Sequence, residues 1–157
     1  LGDGPFNGPA WLSAGGQFGI GSDSNVRISL TEELRTLEYS QRQRDLSRNV
    51  MTCGDGSVGQ AIYLAAARGG AQALGRKSGM IAEGCLADLV AVDPSHPSLC
   101  ALQPHQLLDG LAFAAPDGVV TDVWSAGRHM VRRGHHVAHD RIVGAWRRVV
   151  RDLVGTL

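Results

Sequence analysis

Apolar residues of the chain follow helical spacing in its first half and mostly strand spacing in its second half. Apolar side chains three or four positions apart share one face of a helix. This spacing predicts helices at 9–16, 30–47, 58–67 (interrupted by Gly69-Gly70 and completed by 71–74), 104–114 and 139–153. Ser29 and Glu32 form a capping-box pattern before the second helix, whose Leu30, Leu34 and Leu37 are predicted to face inward.

Short apolar runs bounded by turn residues predict the strands. They lie at 18–21, 89–92 and 119–125, and Gly127-Arg128 predicts a tight turn into a further strand at 129–131. The first run lies between two helices, which is typical of wound or barrel α/β folds. After residue 77, the helical spacing of apolar residues gives way mostly to short strands and turns. We therefore predict an α/β fold with a boundary at this point.

Composition and charge narrow the function classes. The chain has 157 residues, 43% of them hydrophobic, and a formal net charge of zero. It has no concentrated basic stripe and no apolar run near the roughly 18 residues of a membrane span, so neither nucleic acid nor a membrane is an expected partner. Its first residues do not resemble a signal peptide. The widely spaced Cys53, Cys85 and Cys100 favour a reduced, cytoplasmic protein with incidental thiols.

The stretch Gly19-Ile20-Gly21-Ser22-Asp23-Ser24 is the most informative chemical feature. An apolar run that ends in glycine and then presents a carboxylate is how a (β/α)8 barrel strand delivers a catalytic group to its rim. The alternative is a turn that simply favours small polar residues. Ser22 and Ser24 would orient Asp23 in the first case and satisfy backbone groups in the second.

Several further stretches, taken in order, resemble the C-terminal portion of an amidohydrolase-superfamily enzyme, and more narrowly of the formimidoylglutamate deiminase family. The Glu32–Arg35 and Leu37–Arg42 stretches point to the deiminases, while the later glycine-rich and Ala-Asp-Leu-Val elements are shared more widely. The matching stretches are Gly2-Asp3-Gly4, Gly19–Ser24, Glu32-Glu33-Leu34-Arg35, Leu37-Glu38-Tyr39-Ser40-Gln41-Arg42, Gly70–Gly75 and Gly79-x-Ile-x-x-Gly-x-x-Ala-Asp-Leu-Val.

The resemblance implies a fold and a division of the chain. Residues 1–77 would be the last strand and helices of a metal-dependent (β/α)8 barrel. Residues 78–157 would be the C-terminal part of a small composite β-sandwich with a closing helix. The change from helical to mostly strand-like spacing of apolar residues after residue 77 agrees with this division.

The resemblance also implies a chemistry for Asp23. It would be both a ligand of one divalent metal ion, most commonly Zn²⁺, and the acceptor of a proton from the attacking water. The reaction would be hydrolytic deimination of N-formimino-L-glutamate to N-formyl-L-glutamate and ammonia in histidine degradation. A carboxylate beside zinc suits both roles, because zinc accepts anionic oxygen ligands and acidifies bound water to a pKa of about 7.

The rest of the implied site is missing. The family's other metal ligands, its further catalytic groups and most of its substrate-carboxylate binders belong to earlier strands that this chain lacks. No substrate-binding residue can be named. His135, His136 and His139 are expected at an exposed hairpin end rather than in a metal site, His96 and His105 in loops, and His129 at a strand edge. Because one carboxylate cannot hold catalytic zinc, we expect the isolated chain to be inactive.

Alternatives remain open at this point. The chain could come from an aminohydrolase acting on a purine or triazine ring, or be a non-catalytic β-rich interaction module. An isolated barrel end exposes unpaired strand edges, so it is expected to pair with the remaining barrel or with another copy. The family resemblance favours a homodimer. Capping and surface pairing explain Glu32, Glu33 and Arg35 without a role near a metal, and Asp88 and Asp93 are expected to be structural.

Overall fold

The computed structural model describes residues 3–52 and 56–156. Cys53, on which one sequence expectation falls, lies outside them. The elements are α1 (Gly8–Ser13), α2 (Leu30–Asp45), α3 (Val58–Ala73), β1 (Leu89–Val92), a 3₁₀ turn (Pro104–Gln106) leading into α4 (Leu107–Phe113), a second 3₁₀ turn (Asp117–Val119), β2 (Val120–Ser125), β3 (Arg128–Arg132), β4 (His135–His136) and α5 (His139–Val154).

Side-chain caps define where the first three helices begin. The side chains of Asn7, Ser29 and Ser57 accept hydrogen bonds from backbone N–H groups three residues ahead, at 3.2 Å in each case. Such caps satisfy donors that a helix cannot pair internally. The Ser29 half of the predicted capping box is therefore confirmed, whereas the Glu32 carboxylate pairs with Arg27 instead of the backbone of Ser29. Its helix ends at Leu46, whose φ of 49° is left-handed and stops the helical hydrogen-bond pattern.

One hydrophobic core joins α2 and α3. Its buried side chains are Leu34, Met51, Val58, Ile62 and Ala66, with Leu12, Phe18, Ile20, Leu37, Tyr63 and Phe113 packed around them. Leu34 is 1% exposed, whereas Leu30 is 53% exposed. Leu30 lines a small cavity with Leu34 and Tyr63, so it lies on the predicted inward face of the helix but is only partly covered there.

A second core lies between α4 and the start of β2. It consists of Leu99, Leu111, Ala115 and Val119. The Asp109 carboxylate of α4 accepts the backbone N–H of Gly59 at 2.7 Å, in the first turn of α3. A negative charge at the positive end of a helix is favourable, so this contact fastens the second core to the first.

The described residues form one antiparallel sheet in the order β1-β2-β3-β4. Tight turns at Ala126-Gly127 and Arg133-Gly134 join β2 to β3 and β3 to β4, and all four residues have positive φ. This backbone is typical of two-residue hairpins, whose twist matches that of the strands. The predicted strands at 89–92, 119–125 and 129–131 are confirmed within one residue at most boundaries, while β4 is an addition.

Two expectations about the first half are corrected. Residues 18–21 do not form a strand in the described structure, because a strand requires a hydrogen-bonded neighbour and none of the described residues supplies one. Helix α3 is continuous through Gly69-Gly70 rather than interrupted. A Cβ atom on Gly69 would lie 2.0 Å from the carbonyl oxygen of Phe18, so this glycine permits a close approach of segment 18–21.

Helix α5 has no buried residue in the described structure. Its apolar side chains, including Trp146 at 67% exposed, form one uncovered stripe. No described helix is long and apolar enough to cross a membrane.

Candidate functional site

Asp23 lies in an exposed turn directly after segment 18–21. The backbone N–H of Asn25 donates to the carbonyl of Ser22 at 2.8 Å and closes this turn. Asp23 has a φ of 45°, a left-handed conformation that Asp tolerates better than most residues. Among the described residues, no side chain or backbone group pairs with its carboxylate, which is therefore available to a ligand.

The turn is tied to the first turn of α2. Asn25 donates its side-chain amide to Glu33 at 2.6 Å. Two residues later, the Arg27 guanidinium lies 3.1 Å from Glu32. The sequence predicts capping and surface pairing for both glutamates but does not indicate the bond to Asn25. A hydrogen bond across the start of a helix has no periodic signature that could have indicated it.

Ser22 and Ser24 flank Asp23 without contacting it. Neither hydroxyl makes a hydrogen bond within the part of the chain that the structure describes. Their proposed role in orienting the carboxylate remains a prediction.

A groove of about 340 Å³ runs between segment 18–21 and α2. Phe18 and Leu37 supply apolar walls, and Glu33 and Ser40 supply polar groups. Asp23 does not line this groove. The carboxylate therefore stands beside the groove rather than within it.

The stretch Leu37–Arg42, which carries much of the sequence resemblance, is structural in this chain. Glu38 is fully buried and accepts the backbone N–H groups of Val50 at 3.0 Å and Met51 at 2.9 Å, together with Arg42 at 2.6 Å. Gln41, also fully buried, accepts the backbone N–H of Gly8 at 3.0 Å. These side chains fix α1 and the loop after α2, and they make no contact with Asp23.

The histidines do not gather around Asp23. The rings of His135 and His139 lie 5.6 Å apart, edge to face, where β4 meets α5. His129 pairs with Asp122 at 2.7 Å, and His96 accepts the backbone N–H of Ser98. The described residues contain no group of three or more His, Cys, Asp or Glu side chains that could hold a metal ion.

The ionisable groups described next have shifted pKa values, but they lie away from Asp23 and make contacts within the fold. Hydrogen bonds lower the pKa of Asp88, chiefly from the backbone N–H of Ala126 and from Arg76. They also lower the pKa of Asp93, chiefly from Ser95. Both aspartates therefore act structurally, as predicted. Burial raises the pKa of Tyr63, at the side of the first core.

The donor chemistry at the turn fits one position of a metal site and no more. A free, exposed carboxylate is a suitable ligand for zinc or another divalent cation. A catalytic zinc site uses about three protein ligands, of which this turn supplies one. The described residues by themselves do not form a complete centre.

Comparison with known proteins now gives the family. The amidohydrolase family pattern matches residues 8–130. Over 155 residues, the chain is 44% identical to a formimidoylglutamate deiminase of Pseudomonas aeruginosa, a match that covers 98% of this chain and 34% of that protein. The chain belongs to the amidohydrolase family. It spans about a third of the length of the curated relatives that it matches.

Other relatives share the family but differ in name. A 5-methylthioadenosine/S-adenosylhomocysteine deaminase of Archaeoglobus fulgidus is 32% identical over 129 residues, covering 80% of this chain and 28% of that protein. These relatives are named as a deiminase and deaminases, which are hydrolases that act on C–N bonds.

Solved structures support an α/β fold. An amidohydrolase from Brucella melitensis superposes with a TM-score of 0.87 at 40% identity, covering 98% of this chain and 34% of that one. A zinc-bound adenosine deaminase from Xanthomonas campestris gives a TM-score of 0.79 at 30% identity, with 95% and 34% covered. The small antiparallel sheet and the helices before it thus correspond to one segment of a larger fold.

Proposed function

We propose that this chain is the C-terminal third of a zinc-dependent formimidoylglutamate deiminase. The observation that carries the proposal is the 44% identity over 98% of the chain to the Pseudomonas aeruginosa protein of that name. The free carboxylate of Asp23, in the turn after segment 18–21, is a suitable metal ligand and is consistent with the proposal.

In this proposal residues 1–77 complete a (β/α)8 barrel and residues 78–157 contribute to a β-sandwich with a closing helix. Segment 18–21 would become the last barrel strand once neighbouring strands pair with it. Large apolar side chains that no described residue covers indicate that further protein packs against them, since soluble proteins seldom expose extended apolar patches. Examples are Ile81, which is 90% exposed, and the stripe of α5.

The occupant of these surfaces is proposed to be the remaining barrel, because the relatives are about three times as long as the chain. A homodimer of the complete enzyme is a second proposed association. The cytoplasmic location also remains a prediction.

Asp23 is proposed to hold one zinc position and to handle a proton. The metal would supply Lewis acidity and make a water molecule easier to ionise. Asp23 would accept a proton from the attacking water, whose oxygen forms a bond to the formimino carbon. It would then return that proton to the terminal nitrogen. The second water proton also moves to this nitrogen as the carbonyl forms and the C–N bond breaks, so that the nitrogen leaves as ammonia. The products are N-formyl-L-glutamate and ammonia.

The decisive experiment uses the complete polypeptide encoded with the upstream sequence. We expect zinc-dependent release of ammonia from N-formimino-L-glutamate. Asp23→Ala should lower kcat by about a thousandfold, or about 4 kcal/mol of barrier. The exposed Asp152→Ala in α5 is the matched control and should retain turnover. Full activity of Asp23→Ala would refute the catalytic role and favour a non-catalytic module.

The main alternative is an aminohydrolase for a purine nucleoside, which the Archaeoglobus fulgidus relative favours. Assaying the same polypeptide with adenosine-type substrates and with an aminotriazine separates the two. Higher kcat/KM on a ring substrate than on N-formimino-L-glutamate would overturn the deiminase proposal. The 157-residue chain alone, given zinc, should show no turnover.

A further inference from the structure

We propose that Glu33 is a positioning residue that holds the Asp23 turn in place through Asn25. This inference rests on the proposed function of Asp23 as a metal ligand. Its basis is the 2.6 Å hydrogen bond from the Asn25 amide to the Glu33 carboxylate.

The turn needs such an anchor because little else restrains it. Its closure rests on one backbone bond, from Asn25 to Ser22, and Asp23 adopts a left-handed conformation. A left-handed backbone costs a non-glycine residue about 1 kcal/mol, and although aspartate tolerates it better than most, an external restraint helps the turn to persist. The residues that follow, Val26 and Ile28, are exposed and contribute no packing.

Glu33, by contrast, stands on a firmly held part of α2. The next residue, Leu34, is buried in the first core, and Arg35 donates to the carbonyl of Ala112 at 2.9 Å. The cap residue Ser29 is buried and donates to Asp117 at 2.8 Å. The bond from Asn25 to Glu33 therefore joins a weakly restrained turn to a rigid support.

The closing residue of the turn is also the residue that Glu33 holds. Asn25 supplies the backbone N–H that closes the turn and the side-chain amide that Glu33 accepts. Losing the side-chain bond would free the turn to sample other conformations and would move the Asp23 carboxylate from its ligand position. Partners behind a metal ligand typically contribute about tenfold to a hundredfold to metal affinity or activity.

Glu32 is a matched control within the same helical turn. It carries the same charge and, like Glu33, lies in the first turn of α2, where negative charge is favourable, but it pairs with Arg27, which lies beyond the closed turn. A purely electrostatic role at the start of α2 would make the two glutamates equivalent. A positioning role makes only Glu33 important for the metal.

The test uses the complete polypeptide loaded with Zn²⁺, and with Co²⁺ for spectroscopy. We expect Glu33→Ala and Asn25→Ala each to weaken zinc affinity about tenfold, to alter the visible Co²⁺ spectrum and to lower kcat more than they change KM. Glu33→Gln retains the acceptor oxygen and should restore most of the affinity. Glu32→Ala should resemble the unmodified enzyme in all of these measurements.

The outcomes separate this inference from the proposed function. Equal zinc affinity, Co²⁺ spectrum and kcat in Glu33→Ala and Glu32→Ala would overturn the positioning role. If Glu33→Ala does not fold, Asn25→Ala decides, because it removes the same bond from the exposed side. Asp23→Asn reports on the function itself: retained zinc and turnover there would refute both proposals, whereas their loss, with Glu33→Ala unaffected, would refute only the positioning role.

Discussion

The fully buried carboxylate of Glu38 accepts the backbone N–H of Met51 at 2.9 Å, across the end of α2. The same carboxylate accepts the N–H of Val50 and the guanidinium of Arg42. A buried charge is tolerated only when it is paired and hydrogen-bonded, and Glu38 satisfies both conditions. The Glu38 side chain therefore helps to fix the loop that brings Met51 into the first core.

Replacing Glu38 should destabilise the chain strongly. Glu38→Ala leaves the buried amide of Met51, the partly buried amide of Val50 and Arg42 without their acceptor, so we expect the free energy of unfolding to fall by about 3 kcal/mol. Glu38→Gln keeps one acceptor oxygen and should cost less. Urea unfolding followed by circular dichroism measures both. Glu32→Ala, at a partly exposed site, removes only the ion pair with Arg27 and should change stability by less than about 1 kcal/mol, and an equal loss there would contradict the assignment.

The close approach of Gly69 to Phe18 gives a second prediction with an internal control. Gly69→Ala places a methyl group against the Phe18 carbonyl and should destabilise the chain by about 1–3 kcal/mol. Gly70→Ala has open space within 4 Å and lies inside α3, where alanine is favoured over glycine by up to about 1 kcal/mol. The midpoint temperature of thermal unfolding should therefore fall in Gly69→Ala and rise in Gly70→Ala. A shift of both midpoints in the same direction would refute the packing argument.

Asp117 links the sheet half of the chain to the start of α2. Its carboxylate accepts the hydroxyl groups of Ser29 at 2.8 Å and Thr31 at 2.9 Å. Because Ser29 is buried, Asp117→Ala should cost about 1–2 kcal/mol of unfolding free energy. Denaturant titration measures this cost. Asp152→Ala, at an exposed site in α5, is the control, and an equal loss in both variants would argue against the link.

Much of the secondary structure was predictable because it depends on local signals. Caps such as Ser29, apolar spacing in α2 and the glycine at the β2–β3 turn are all visible in the sequence, and the structure confirms them. The continuity of α3 was not predictable. A pair of glycines such as Gly69-Gly70 predicts a break in a helix. Only the close approach of Phe18 shows why a glycine is needed at position 69.

The candidate site was predictable only in part. Asp23 stands out because a carboxylate follows an apolar run and a glycine, and its role remains a proposal. The sequence could not indicate that Glu33 holds Asn25, since that bond depends on how the loop folds back onto α2. Nor could it show that Glu38 and Gln41 support the fold, because buried polar residues look like surface residues until their partners are known.

The pairing of Asp122 with His129 predicts a pH dependence of the β2–β3 hairpin. The hydrogen bond from His129 lowers the pKa of Asp122, and the ring of His129 also stacks on Trp124. A carboxyl group whose pKa is lower in the folded state contributes stability above its unfolded pKa of about 3.9. That contribution is lost as the pH falls through the lower, folded value. The unmodified chain and Asp122→Asn should therefore differ in stability at pH 6 and converge toward pH 2, as measured by urea unfolding across this range. A constant difference at every pH would show that the carboxylate charge is not involved.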